Sequence, residues 1–143
     1  FRGLVQHEAG GHGFAKLADE YASPPEVTIT LDEIANICAY AEYGWWKNVD
    51  FTSDPEKVKW AHILSDERYA DEPEGVYEGA RNCSRGIWRP TYDSIMMDNK
   101  GSFNAPSREA IWYRIHKLAY GSHWQYDFED FVRYDSVNRL PEY

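Results

Sequence analysis

The sequence predicts an α+β fold, mostly helical, and three observations predict it. Helix-capping residues precede apolar residues at helical spacing in several places. Between Gly75 and Thr91, glycines and aromatics instead suggest short strands or extended loop. A length of 143 residues, with 43% hydrophobic and 16% aromatic residues, is enough for one buried core and too apolar for a disordered acidic chain. No internal repeat or low-complexity stretch divides the chain, so residues 1–143 are expected to form a single domain.

Residues 1 to about 21 read as a first helix, with Leu4, Val5, Phe14 and Leu17 among polar and small residues. Gly10, Gly11 and Gly13 lie in its interior. Each costs up to ~1 kcal/mol of helix stability relative to Ala, so their presence needs a reason. Ser23-Pro24-Pro25 closes the segment. A second helix is predicted within residues 28–46: Thr30 and Glu33 have capping-box spacing, and Ile34, Ile37, Cys38 and Ala41 form an apolar stripe. Asp54-Pro55 predicts the start of a third, carrying Val58, Ala61, Ile63 and Leu64.

Residues 66–75 read as an acidic loop, and residues 76–79 and 86–89 as the candidate strands. A turn at Lys100-Gly101 precedes a fourth helix, capped by Asn104 and running through Ala110, Ile111, Ile115 and Leu118. Residues 128–134 are a short amphipathic segment.

Charge narrows the function. Lys and Arg total 15 and Asp and Glu total 24, a net charge of −9. Phosphate contacts need a basic face, so a nucleic-acid binder is excluded, as is a binder of anionic membranes. No apolar run of 18 residues exists, so no transmembrane segment is expected. The chain opens within an apolar run, Phe1 to Val5, without an initiator Met or signal peptide, so an upstream part is expected and no targeting segment gives its location. Cys38 and Cys83 form no C-x-x-C pair; a disulfide and two separate thiols are both open.

The chemistry-bearing motif is His7-Glu8-Ala9-Gly10-Gly11-His12. Zinc proteases carry H-E-x-x-H, whose histidines share one helix face. Here the spacing is five. In an ideal α-helix that leaves the two side chains ~140° apart, too far to share an ion. A π-bulge absorbs one inserted residue and is frequent at functional sites. Gly10 and Gly11 stand where it would have to form, which gives the helix-weakening glycines a purpose. Glu8 would then take a proton from a zinc-bound water, aim it at a peptide carbonyl and pass the proton to the leaving amine. A catalytic zinc has three protein ligands and one open position, so Asp19 or Glu20 is expected to complete the set. Spacing does not choose between them.

The run from His7-Glu8 through Gly11-His12-Gly13-Phe14 to Leu17-Ala18-Asp19-Glu20-Tyr21 resembles the active-site segment of the IgA-protease-type metallopeptidases, a secreted bacterial group of zincins. Gly86 to Thr91 is similar to the same family, and Ser94-Ile95-Met96 resembles the Met-turn beneath the zinc of metzincin-like enzymes. The resemblance spans residues 1 to about 120. It implies a zinc-dependent endopeptidase acting on a protein or peptide substrate. Zn²⁺ would be held by His7, His12 and Asp19, Glu8 would be the catalytic base, and Met96 a floor residue. It further implies the C-terminal portion of a zincin-like catalytic domain, lacking the upstream sheet, in a secreted or cell-envelope protein. Most of that family has the shorter H-E-x-x-H; the dipeptidyl peptidase III family has a six-residue H-E-x-x-G-H.

Other candidates carry less. His62 is expected to be a packed core or rim histidine, His116 a surface residue and His123 a loop residue. Asp66, Glu67, Asp71, Glu72 and Glu74 lack EF-hand spacing and read as a solvated loop. Tyr43, Trp45 and Trp46 read first as packing and second as a sugar-stacking surface. The latter underlies an alternative function, a non-catalytic zincin-like or glycan-binding module. Ser94 has no G-x-S-x-G setting, and neither cysteine has a neighbouring histidine, so nucleophilic catalysis has no support.

Overall fold

A computed structural model describes residues 1–139. The fold is α+β, about 47% helical, with one two-stranded sheet. No helix among the described residues is long and apolar enough to cross a membrane.

The first predicted helix is two different structures. α1 (Arg2–Val5) leads directly into a π-helix, Gln6–Ala15. Helical structure stops at Ala15, well short of residue 21, because Lys16 turns into the left-handed region (φ 59°, ψ 37°). Its amide still donates to the Gly11 carbonyl, and so does that of Leu17. Beyond it the chain is non-helical to Thr30, so Asp19 and Glu20 are not on a helix end.

α2 (Leu31–Ala41) begins at the predicted Thr30, and both halves of the capping box form with Glu33. Its expected stripe is narrower than predicted: Ile37 is buried and Ile34 partly so, while Cys38 and Ala41 face solvent. The third helix is a correction. Asp54 accepts from the Glu56 amide and caps a single turn, but regular helix, α3, covers only Ala61–Leu64. One turn of cap does not propagate without further favourable contacts, since helix nucleation is costly.

β1 (Tyr77–Ala80) and β2 (Cys83–Arg89) form an antiparallel hairpin at the two predicted strand positions. Its two-residue turn, Arg81-Asn82, has both residues at positive φ, the twist-matched geometry for such a loop. The pairing slips between Glu78↔Trp88 and Ala80↔Cys83, so one residue of β1 faces four of β2.

α4 (Ile95–Asp98) is one short turn that ends at Asn99 in the left-handed region. α5 (Ala105–Tyr120) starts at the predicted Asn104 cap. Its buried face is Ala105, Ala110 and Trp112, whereas Ile115 and Leu118, expected in the stripe, are exposed. α6 (Phe128–Asn138) extends the amphipathic segment predicted at 128–134 and is capped by Asp127.

Three apolar clusters form the interior. One joins Trp60, Ile63 and Tyr69 to Trp112 and Phe131. A second joins Ile37 and Val49 to the hairpin through Ala80 and Ile87. The third, Ala15, Leu17, Ile95, Met96 and Ala110, lies beneath the π-helix and positions the site. The acidic loop is less solvated than predicted: Asp66 pairs with Arg68, Glu72 with Arg108 and Arg139, and Glu74 accepts the Ala105 amide. Cys38 is exposed and Cys83 buried, and the two thiols are unpaired.

Candidate metal centre

The π-helix supplies two of the three donors. Its i+5→i hydrogen bonding stacks each residue over the one five before it, so His7 and His12 share a face. Their rings lie 4.7 Å apart in a T-shaped arrangement. The single bulge expected at Gly10-Gly11 is therefore a distortion of the whole ten-residue segment. Tertiary contact explains part of it. A Cβ on Gly11 would overlap Met96 Sδ and lie 2.9 Å from Met96 Cε, and a Cβ on Gly3 would overlap the Asn99 carbonyl oxygen. A Cβ on Gly10 would meet only Phe103, at an ordinary 3.7 Å. Gly11 thus lets the helix settle on the fully buried Met96, and Gly10 is not required for space.

The third donor comes from the segment after Lys16. Leu17 and Ala18 are buried, and each successive group is tied down. The Leu17 carbonyl accepts from His12 Nδ1 at 2.8 Å. Asn48, itself fully buried, accepts from the Ala18 amide and donates to the Ala18 carbonyl. The carbonyls of Asp19 and Tyr21 accept from the amides of Arg81 and Asn82, the hairpin turn. The Glu20 amide donates to the Met96 carbonyl.

These bonds fix the path of the segment and send the two adjacent acids to different places. Asp19 points to the histidines: its Oδ1 is 3.1 Å from His7 Nε2 and 3.0 Å from His12 Nε2, and the two Nε2 atoms are 3.0 Å apart. Glu20 points into the protein and is fully buried. Its carboxylate accepts from Ser94 Oγ at 2.6 Å, from Asn48 Nδ2 at 2.9 Å and from Asn104 Nδ2 at 3.0 Å. Burial raises its pKa above the ordinary value, and the bonds from Ser94, Asn48 and Asn104 oppose that rise.

The donor chemistry fits a cation. His7 Nδ1 contacts the Ile95 carbonyl oxygen at 2.8 Å, and His12 Nδ1 contacts that of Leu17. A carbonyl only accepts, so both Nδ1 atoms carry a proton, and in the neutral tautomer this selects each Nε2 offers a lone pair. Two such lone pairs and a carboxylate oxygen converge within 3.1 Å. A second proton on one ring leaves the other Nε2 facing Asp19 Oδ1 lone pair to lone pair. A shared ion relieves every pair at once. Donors ~2.0–2.1 Å from a tetrahedral zinc lie ~3.3–3.4 Å from each other, close to the spacing observed. The carbonyl partners are the outer contacts that orient metal-binding imidazoles. His7 is buried, while His12 and Asp19 are partly open, which leaves one side of the triangle accessible.

Glu8 follows His7 on the π-helix and is exposed. Beside the triangle, the Asp19 charge raises the pKa of the Tyr21 phenol, with smaller contributions from burial and from Glu8. Met96 lies against Gly11 and is fully buried. Asn48 and Asn104 were not anticipated as site residues. Asn104 was legible only as a helix cap, and a lone Asn at 48 gives no sequence signal.

The remaining histidines lie elsewhere. His62 is a rim residue, bonded to Glu109 at 2.9 Å and set against the edge of Phe128. His116 is partly buried, tilted against Trp112 and Trp124, and His123 is exposed. Tyr40 and Trp45 stack on each other at 5.0 Å, and Lys16 and Arg81 lie over Trp45 and Trp46. Tyr40 and Lys16 thus cover part of the Trp45 indole, and Arg81 part of Trp46. Neither protein-family models nor curated proteins give any match to this chain.

Proposed function

We propose that this chain is the catalytic portion of a zinc-dependent metalloendopeptidase, with His7, His12 and Asp19 as zinc ligands and Glu8 as catalytic base. The observation that carries the proposal is the convergence of two imidazole Nε2 atoms and one carboxylate oxygen within 3.1 Å of one another. The motif resemblance and the placement of Met96 beneath Gly11 support it. When bound, zinc supplies Lewis acidity, which polarises a carbonyl and makes water a nucleophile near neutral pH. Glu8 takes the proton from the attacking water and delivers it to the departing amine. The carbonyls of Ile95 and Leu17 hold both imidazoles in the ligating tautomer. The substrate class is a protein or peptide, and the resemblance carries with it a secreted or cell-envelope location.

The test pairs metal analysis with turnover. One zinc per chain is expected, lost in His7→Ala and in His12→Ala. Glu8→Gln should keep the metal and lower peptide hydrolysis by roughly 10²–10⁴-fold, the usual contribution of a general base. Zinc retained with no hydrolysis by the unaltered protein overturns the catalytic part and leaves a non-catalytic zincin-like module. Absence of stoichiometric zinc overturns the whole proposal.

A further inference from the structure

A cavity of about 330 Å³ lies between the loop that follows α2 and the face of α5. Trp45, Trp60 and Tyr113 supply aromatic walls, and Lys47 and Lys59 line it as well. Two lysines at one cavity are unexpected in a chain of net charge −9. Among the described residues, lysine ion pairs are formed by Lys57 and Lys100 only; neither cavity lysine has a carboxylate within salt-bridge distance. Lys47 Nζ lies over the Tyr113 ring at 4.4 Å, and Lys59 Nζ donates to the Trp46 carbonyl at 3.2 Å.

Two carboxylates lie nearby, Glu109 toward Lys47 and Asp50 toward Lys59, and neither reaches ion-pair distance. Glu109, which also lines the cavity, accepts from Tyr126 and is bonded to His62. The oxygens of Asp50 accept the amides of Phe51 and Lys59. Protein packed around both ammonium groups lowers their pKa values; the charge of Glu109 opposes this at Lys47 and that of Asp50 at Lys59, where Lys47 adds the smallest, lowering contribution. Two ammonium groups, partly stripped of water and with no carboxylate at ion-pair distance, can each still take a direct anionic partner. The volume and mixed lining match a small-ligand pocket, where apolar walls hold the body and a few polar groups fix one end.

We propose that this cavity binds a small aromatic carboxylate, its ring against Trp45, Trp60 and Tyr113 and its carboxylate between Lys47 and Lys59. The inference does not depend on the zinc site. Calorimetric titration of the unaltered protein with 3-phenylpropionate should show saturable 1:1 binding. The neutral 3-phenylpropionamide, of the same shape, should bind at least tenfold more weakly. Lys47→Met keeps the stem and removes the charge; it should weaken the acid at least tenfold and leave the amide and the zinc content unchanged. Acetyl-Gly-Phe-OH separates the two sources of such a group: tighter binding than phenylpropionate assigns a peptide C-terminus, weaker binding a free acid. Equal affinity for acid and amide overturns the proposal. So does an unaffected Lys47→Met, or inorganic phosphate binding as tightly as the aryl acid. Should Lys47→Met fail to fold, the acid–amide comparison on the unaltered chain decides.

Discussion

The π-helix Gln6–Ala15 and the α-helix Leu31–Ala41 are nearly equal in length, at 10 and 11 residues, but are held by different means. α2 carries its own instructions: a reciprocal cap at Thr30 and Glu33, acids in its first turn, and Ile37 as its buried anchor. The π-helix has three glycines and no side-chain cap, and the residues beneath it supply its definition: Met96 under Gly11, the Asn99 carbonyl beside Gly3 and the Ile95 carbonyl on His7. A helix written in local signals is robust and replaceable. One imposed by its surroundings can hold a geometry that no local propensity favours, here two imidazoles five residues apart on one face.

The comparison can be broken most strongly at Gly11. Gly11→Val should destabilise the protein by roughly 3 kcal/mol through overpacking against Met96, and should abolish zinc retention; urea unfolding and metal analysis read the two effects. An equally bulky change on the exposed face of α2, Asn36→Val, should leave zinc retention intact.

Next in size is Glu20→Gln. The amide NH2 would face a donor from Ser94, Asn48 or Asn104, a cost of about 1–3 kcal/mol that relief of the buried charge partly offsets at neutral pH. This variant also sharpens the comparison through pH. The folded pKa of Glu20 is raised, so its contribution to stability is full below its ordinary 4.5 and declines as pH rises through the folded value. Glu33 runs the other way: bonds from Thr30 lower its pKa, so its contribution is present above 4.5 and is lost as pH falls through the folded value. Amide protection factors followed across that range should weaken at the start of α2 on acidification and not around Glu20. Removal of Glu20 should flatten only the second profile.

Thr30→Ala should cost about 1 kcal/mol by removing the cap, with zinc affinity unchanged. The smallest effect is expected at the exposed Cys38: Cys38→Ser should shift stability by under ~0.5 kcal/mol.

What could be read from the sequence follows the same division. The caps at Thr30 and Asn104 and both strand positions were legible because the signals are local. The need for a distorted helix between His7 and His12 was legible from spacing, although its extent was not. Which of Asp19 and Glu20 faces the histidines was illegible because it depends on the path of the chain there, which follows from the left-handed turn at Lys16 and from bonds made by Asn48, Arg81 and Met96. The third helix was over-read because Asp54-Pro55 signals a beginning and says nothing of continuation. The exposure of Ile115 and Leu118 depends on where α5 lies, which periodicity alone does not give.

The turn at Arg81-Asn82 has a wider consequence. Its two amides grip the carbonyls on either side of Glu20, so the hairpin acts as a buckle on the strap that carries Asp19. Lengthening that loop by a single residue would loosen the strap without touching any donor atom. Transplanting the two histidines and the aspartate into another scaffold would fail unless the buckle travelled with them.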